Sequence, residues 1–331
     1  MGEQAMVFIV GETIFVLMLY IAMGFFMRKI NIIDDRVSQG LTGIFMIASL
    51  PAAIFNGMLN QQFDQNLLIN ILIVFSAIIA AYFVFAFVGL AIGRLFKLPR
   101  PRIGVYAMAM SFGNVGLMGF PVIGALWGGI GLFYGVVVTL AYFVMLPTMG
   151  VWLTVKSAQD DNGEPIKYRL KPNVALFASI LGLLYYVTQE FIPTAIIGFI
   201  RPAVIDGVGG GPVGMFIGGV SATMTPISMF MIGSLLAKGK LKAIWGEVDI
   251  LVLSAVKLLL VPILLFFTIR PFIADPIVLG VLVIQTAMPA ASLSAVYAEK
   301  YKADSAYASR AVLISTALSL ATIPAVALLL G

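Results

Sequence analysis

Ser111-Phe-Gly-Asn-Val-Gly-Leu-Met-Gly-Phe-Pro121 interrupts one long apolar run, and Thr286-Ala-Met-Pro-Ala-Ala-Ser292 interrupts another. Glycine and proline at these densities weaken a helix, and Pro121 both lacks an N–H and crowds the carbonyl of Leu117. Lipid cannot hydrogen-bond a freed N–H or C=O. Unwound backbone therefore survives at membrane depth only where it is buried in protein or lines a cavity. Two such interruptions at corresponding places in the two halves of a chain point to the binding site of a transporter.

The surrounding composition makes this a membrane sequence. Of 331 residues, 61% are apolar and 11% charged, and mean hydropathy is +1.07. A soluble chain of this size cannot hide so much apolar surface. With no cysteine and no histidine, disulfides, thiolate or imidazole metal ligands and histidine proton relays are all excluded. No metal site, no cofactor and no nucleic-acid partner are expected. Met1 to Ala5 carries no basic residue, and the apolar run 6–27 is too long for the core of a cleaved leader. It reads as a retained first helix.

Roughly 20 apolar residues cross the hydrocarbon. On that measure the chain divides into ten spans, at 6–28, 37–59, 67–95, 102–127, 130–155, 173–191, 209–237, 243–269, 276–299 and 304–330. Seventeen of the 20 Lys and Arg fall in alternate connections. Arg201 and Arg270 fall in the others, and Lys257 lies within a span. This bias predicts both termini outside, with the basic connections cytoplasmic. Compact loops favour a bacterial inner membrane. The one long polar stretch, 157–172, separates a first group of five spans (1–156) from a second (173–331). An odd number of spans per half inverts one half relative to the other. At an offset of 175 residues, Pro51 falls on Pro226 and Pro101 on Pro276, while Asn114 falls on Pro289. The expected fold is an all-α membrane protein of two inverted five-helix repeats, with the fourth and ninth helices broken.

The residues available for chemistry are few. Around Asn114, with Gly113, Gly116, Gly119 and Pro121, an unwound helix offers bare N–H groups and a positive dipole end to an anion. The Asn114 amide adds a donor and an acceptor. The same residues would also serve close helix packing, with Asn114 as an interhelical hydrogen bond. Pro289 frees the carbonyl of Gln285, the only amide side chain of its span, and a simple kink is the other reading there. Lys257, at mid-span, is an expensive residue: a lysine at the bilayer centre costs roughly 2.5–3.5 kcal/mol on insertion scales. It reads as the complement of an anionic substrate, as a tether for the broken helices, or as a neutral amine bonded to carbonyls. Glu12 and Asp64 lie near the outer ends of spans, at a solvated mouth or within reach of the crossing helices. Gly210, Gly214 and Gly218 form a small-residue row suited to packing within the chain or to a homodimer contact.

Asn114-Val-Gly116-Leu-Met-Gly119-Phe-Pro121 resembles the Asn-x-Gly-x-x-Gly-x-Pro signature of the auxin efflux carrier family, which includes plant auxin exporters and bacterial malate or malonate permeases. Pro226 with Gly233-Ser-Leu-Leu-Ala237, Lys257-Leu-Leu-Leu-Val-Pro262, and Ala287-Met288-Pro289 with Tyr297-Ala-Glu299 resemble further segments of it, in order along the chain. The resemblance implies a scaffold (spans 1, 2, 6 and 7) and a transport domain (spans 3–5 and 8–10). Its broken helices would cross at prolines and bind a substrate carboxylate. Asn114, Pro121 and Pro289 carry over directly, and Gly116, Lys257, Gln285, Met288 and Pro51 are the remaining candidates. The long central loop of the plant exporters has no counterpart here.

The reading is therefore a secondary carrier of small organic anions working by alternating access, elevator-like. A sodium-coupled symporter of bile-acid-carrier type or a proton antiporter shares the architecture, although no acidic residue lies beside the breaks. A sensor built on a carrier fold would bind without flux. A hydrolytic or metalloenzyme site finds no motif.

Overall fold

The computed structural model describes residues 3–158, 174–202, 209–239 and 247–330. The linker expected at 157–172 lies almost wholly outside them, as do the first residues of the span expected at 243–269. Among the described residues the protein is helical, in twelve elements: α1 (Glu3–Lys29), α2 (Asp35–Leu59), α3 (Gln65–Leu95), α4 (Arg100–Ser111), α5 (Val115–Lys156), α6 (Val174–Phe191), α7 (Thr194–Ile200), α8 (Pro212–Lys238), α9 (Val248–Phe272), α10 (Pro276–Thr286), α11 (Leu293–Lys300) and α12 (Ser305–Leu329). Eight of these (α1, α2, α3, α5, α6, α8, α9 and α12) are long and apolar enough to cross a membrane. The protein is an integral membrane protein.

Several expected boundaries move. The stretch 102–127, expected to be interrupted between 111 and 121, is two helices: α4 stops at Ser111, and helical winding resumes at Val115. Likewise 276–299 divides into α10 and α11. The 42 residues of α5 fold back at Gly128, whose φ of 59° belongs to the left-handed region open to glycine. The two arms then pack so closely that a Cβ on Gly131 would meet the Ile123 carbonyl at 2.5 Å. Within the expected outer connection the structure adds the short α7. Its seven residues are too few to register as a span. Arg201, expected in that connection, is buried and donates from Nε to the Leu59 carbonyl at 3.0 Å and from Nη2 to Gln189 Oε1 at 3.4 Å.

Proline shapes the helices in a repeated way. A single π turn occupies residues 45–49, 115–119 and 256–260, and each ends two residues before a proline: Pro51, Pro121 and Pro262. Proline has no N–H to return, and its ring crowds the carbonyl four residues back. In each case the preceding residue bonds five back instead, as Leu50 does to Phe45, Phe120 to Val115 and Val261 to Val256. The added residue widens the turn and makes room for the ring.

Two layers result. In the first, α8 packs against α1 and α2. Hydroxyl and amide contacts run along the α2–α8 seam: Ser38 to Ser234 at 3.3 Å, Ser49 to Thr223 at 2.8 Å and Asn56 to Ser221 at 3.2 Å. In the second, α3, α4, α5 and α9–α12 surround a core that includes the fully buried Tyr106, Phe112, Phe120 and Tyr134. Polar ties join helix ends of this layer. On one side Asn70 Nδ2 donates to Tyr134 Oη (2.8 Å) and Asp275 Oδ2 (3.0 Å). On the other, Arg102 pairs with Asp304 at 2.8 Å and the Tyr307 hydroxyl donates to Asp249.

The α1–α8 contact leaves no room for side chains at its centre. A Cβ on Gly233 would stand 2.0 Å from the Ile21 carbonyl oxygen, and one on Gly24 would stand 2.4 Å from that of Phe230. Backbone atoms cannot rotate aside as a side-chain tip can. Gly233→Ala is therefore expected to destabilise the protein by about 1–3 kcal/mol through overpacking. The readout is a lowered thermal midpoint in detergent. An unchanged midpoint would show that the two helices part freely.

Candidate functional site

Residues 112–114 and 287–292 leave the helical path at the same place. They run antiparallel, bridged at Gly113 and Ala290. The Asn114 amide donates to the Pro289 carbonyl at 2.7 Å, and the Ala291 amide donates to the Phe112 carbonyl at 2.9 Å. The Ala290 amide donates to Ser315 Oγ on α12 at 3.1 Å. Backbone groups that α4 and α10 cannot satisfy are thus satisfied across the crossing, as a low-dielectric interior demands. Close approach selects glycine here: a Cβ at Gly113 would stand 3.0 Å from Met288 Cβ.

Beyond the crossing, winding resumes. The amides of Met118 and Gly119 both donate to the Asn114 carbonyl, at 3.0 and 3.1 Å. The first three amides of the turn, on Val115, Gly116 and Leu117, have no acceptor among the described residues, as at any helix start without a capping side chain. Two helix starts, those of α5 and α11, thus flank the crossing with partial positive charge. Asn114 Nδ2 stands 3.5 Å from Ser292 Oγ, too long for a strong bond, so the amide remains available.

A cavity of about 330 Å³ reaches this point from one end of the molecule. Asn114, Gly116 and Ser292 lie along it, together with Val115 and Leu117. Its opposite wall comes from α2 and α8, through residues such as Phe45, Leu50, Met231 and Ser234. At the mouth, Arg28 and Lys238 both bind Asp35, at 2.6 and 3.0 Å, and Asp35 is 63% exposed. The mouth cations are therefore already paired. Most of the wall is apolar.

The expected site residues fall into three groups. Asn114 and Gly116 line the cavity. Pro121, Pro51, Met288, Pro289, Gln285 and Lys257 are buried behind its wall without lining it. Pro289 contributes its carbonyl to the crossing. Lys257, only 1% exposed, donates from Nζ to the Met110 carbonyl at 2.7 Å. That carbonyl belongs to the last turn of α4, the negative end of its dipole, so the Nζ group donates to a helix end. Gln285 packs against Gly119, where a Cβ would collide with its Oε1 at 2.1 Å, and neither amide atom has a hydrogen-bond partner among the described residues.

The third group lies elsewhere. Asp64 caps α3 at the end away from the mouth, accepting from the Asn66 amide at 2.9 Å, and Glu12 is exposed on α1. Gly210 precedes α8 in a positive-φ conformation. Gly214 and Gly218 face Arg201 and Pro202 of the same chain. The α2 and α8 wall, with Thr139, Tyr142 and Phe143 of α5, was missed by sequence reasoning, because such residues look like any other membrane-helix side chains.

A helical membrane protein whose central cavity ends on a crossing of unwound backbone has the layout of a carrier. Residues 9–177 and 166–327 match the family model described as membrane transport protein, and the chain belongs to this family, that of the auxin efflux carriers. It is similar to an uncharacterized transporter of Methanocaldococcus jannaschii, 19% identical over 94% of this chain and 96% of the relative. An uncharacterized transporter of Methanothermobacter thermautotrophicus is 21% identical over 95% and 96% respectively.

Because Lys257 touches the helix end and does not line the cavity, Lys257→Met is expected to act on rate. Maximal flux in proteoliposomes should fall about tenfold or more, while half-saturation moves less than about threefold. A large change in half-saturation at unchanged maximal rate would instead put the ammonium on the substrate.

Proposed function

We propose that the protein is a secondary transporter of small organic anions, and that the crossing of residues 112–114 and 287–292 binds the substrate carboxylate. The observation that carries this reading is the set of bare amides on Val115, Gly116 and Leu117 beside Asn114, all at the cavity wall. An anion accepts from such groups and gains from the dipole behind them. The apolar wall formed by Leu50, Leu117, Met231 and Leu235 suits the body of the substrate. A second charge on that body would lie against this wall with no partner, because Arg28 and Lys238 are engaged by Asp35. Aromatic or branched monocarboxylates fit better than short dicarboxylates.

In this reading the chain makes ten crossings. Each interrupted pair counts as one, and the two arms of α5 on either side of Gly128 belong to separate crossings. The halves 1–156 and 173–331 are inverted repeats. The layer of α1, α2, α6 and α8 is the scaffold, and the layer holding the crossing moves past it as an elevator. Both termini lie outside a bacterial inner membrane, and the cavity mouth at Arg28 and Lys238 faces the cytoplasm, on the side of the basic connections.

Counterflow in proteoliposomes with indole-3-acetate, malonate and malate tests the substrate class. Exchange is expected with indole-3-acetate well above that with the two dicarboxylates. Exchange with none of the three would sink the carboxylate reading. Asn114→Ala should reduce flux by roughly a hundredfold, since it removes a neutral contact to a charged group and loosens the crossing. Membrane yield should persist, and wild-type flux in this variant would place the substrate elsewhere.

A further inference from the structure

Serine and threonine within apolar helices normally return their hydroxyl to a carbonyl three or four residues back, because lipid and packed side chains offer nothing else. This protein follows the habit closely. Ser111 donates to Ala107, Thr154 to Gly150, Ser179 to Ala175, Ser254 to Ile250 and Ser315 to Ala311, at 2.7–2.9 Å. Thr139, in the second arm of α5, breaks it. The residue is fully buried, and among the described residues its hydroxyl has no hydrogen-bond partner.

A buried hydroxyl without a partner is destabilising on its own account, by an amount comparable to a lost hydrogen bond. Other buried side-chain groups share the condition, including Gln285 and Thr316. Thr139 alone among them also lines the cavity that ends at Asn114 and Ser292. It belongs to the cavity wall on α5, whereas Asn114 and Ser292 come from the crossing segments. Its hydroxyl is covered in this structure, so a local side-chain rearrangement must open it to a ligand. A ligand meeting all three would be held from separate elements by neutral groups only.

We infer that Thr139 is a substrate-binding and specificity residue, whose hydroxyl donates to the carboxylate bound at the crossing. The inference rests on the carboxylate reading of the cavity and adds a third arm to it. Neutral donors suit this position. The hydroxyl is shut off from water, where a hydrogen bond to an ionised group is strong and an unpaired cation would be costly. A carboxylate has two oxygens and room for several donors, so the amides of residues 115–117 and the Thr139 hydroxyl do not compete for one lone pair. The corresponding primary amide would offer this hydroxyl only a neutral carbonyl oxygen, a weaker acceptor than an ionised carboxylate.

The test is Thr139→Val, which keeps the branched shape and removes only the hydroxyl, with Thr139→Ser as the conservative partner. Indole-3-acetate is the probe, in binding and counterflow, with malonate and malate alongside. For Thr139→Val we expect half-saturation to rise roughly ten- to a hundredfold, the effect of losing one hydrogen bond to a charged group. Thr139→Ser should hold it within about threefold. The thermal midpoint of the ligand-free Val variant should be unchanged or raised, because a group without a protein partner contributes nothing to the fold. Wild-type half-saturation in Thr139→Val overturns the inference while leaving the carboxylate site standing. A lowered midpoint in the ligand-free Val variant shows that the hydroxyl serves the fold, and overturns it too. If the wild-type protein neither binds nor exchanges any of the three anions, the carboxylate reading falls and takes this inference with it.

Discussion

Two peptide hydrogen bonds, from Asn114 to the Pro289 carbonyl and from Ala291 to the Phe112 carbonyl, hold the centre of the molecule together. They allow α4 and α10 to end in the interior. In hydrocarbon each unpaired backbone group costs several kcal/mol, so neither interruption is tolerable alone. Each supplies the partner the other lacks. The rest of the second layer is arranged to keep this pairing in register: Lys257 on the end of α4, Ser315 on the Ala290 amide, and the polar ties at the helix ends.

A consequence of the pairing is asymmetry in what remains bare. The crossing consumes the amides of Asn114, Ala290 and Ala291 but leaves those of Val115, Gly116 and Leu117, residues that line the cavity, without an acceptor among the described residues. A site assembled this way is positive without carrying a full charge. On the proposed carboxylate reading, that suits a carrier, which must release what it binds: a desolvated lysine or arginine would hold a carboxylate far more tightly. The Lys257 amine is turned onto the Met110 carbonyl, and the mouth cations are held by Asp35.

The recurrent π turns belong to the same economy. A proline in a straight helix leaves a carbonyl unsatisfied and a steric conflict. One added residue in the turn before it resolves the conflict locally and shifts the side chains that follow by about a quarter of a turn. In α5 the turn itself, Val115–Gly119, carries residues that line the cavity, and in α9 the turn Val256–Leu260 carries Lys257, whose Nζ donates to α4.

Much of this was legible in the residue order alone, because its causes are local. Apolar length and the scarcity of charge define a helical membrane protein. The glycines and prolines between 111 and 121 mark a place where winding fails, and the motif built on Asn114 carries the family. Local patterns could not say that of the eight candidates only Asn114 and Gly116 line the cavity, while Lys257, Gln285, Met288 and the prolines do not, since the choice depends on the rotation of each helix against its neighbours. Nor could they separate Phe45, Met231 and Thr139 from lipid-facing residues of the same kind. Gly214, read from sequence as open to a dimer contact, packs on Arg201 of its own chain, a contact between residues whose approach no period in the sequence encodes. The order of residues determined where the backbone would need a partner. The two interruptions were legible as a corresponding pair, but only the packing of distant segments decided which amide meets which carbonyl, because hydrogen bonds between unwound strands are made in space and their register leaves no trace in spacing.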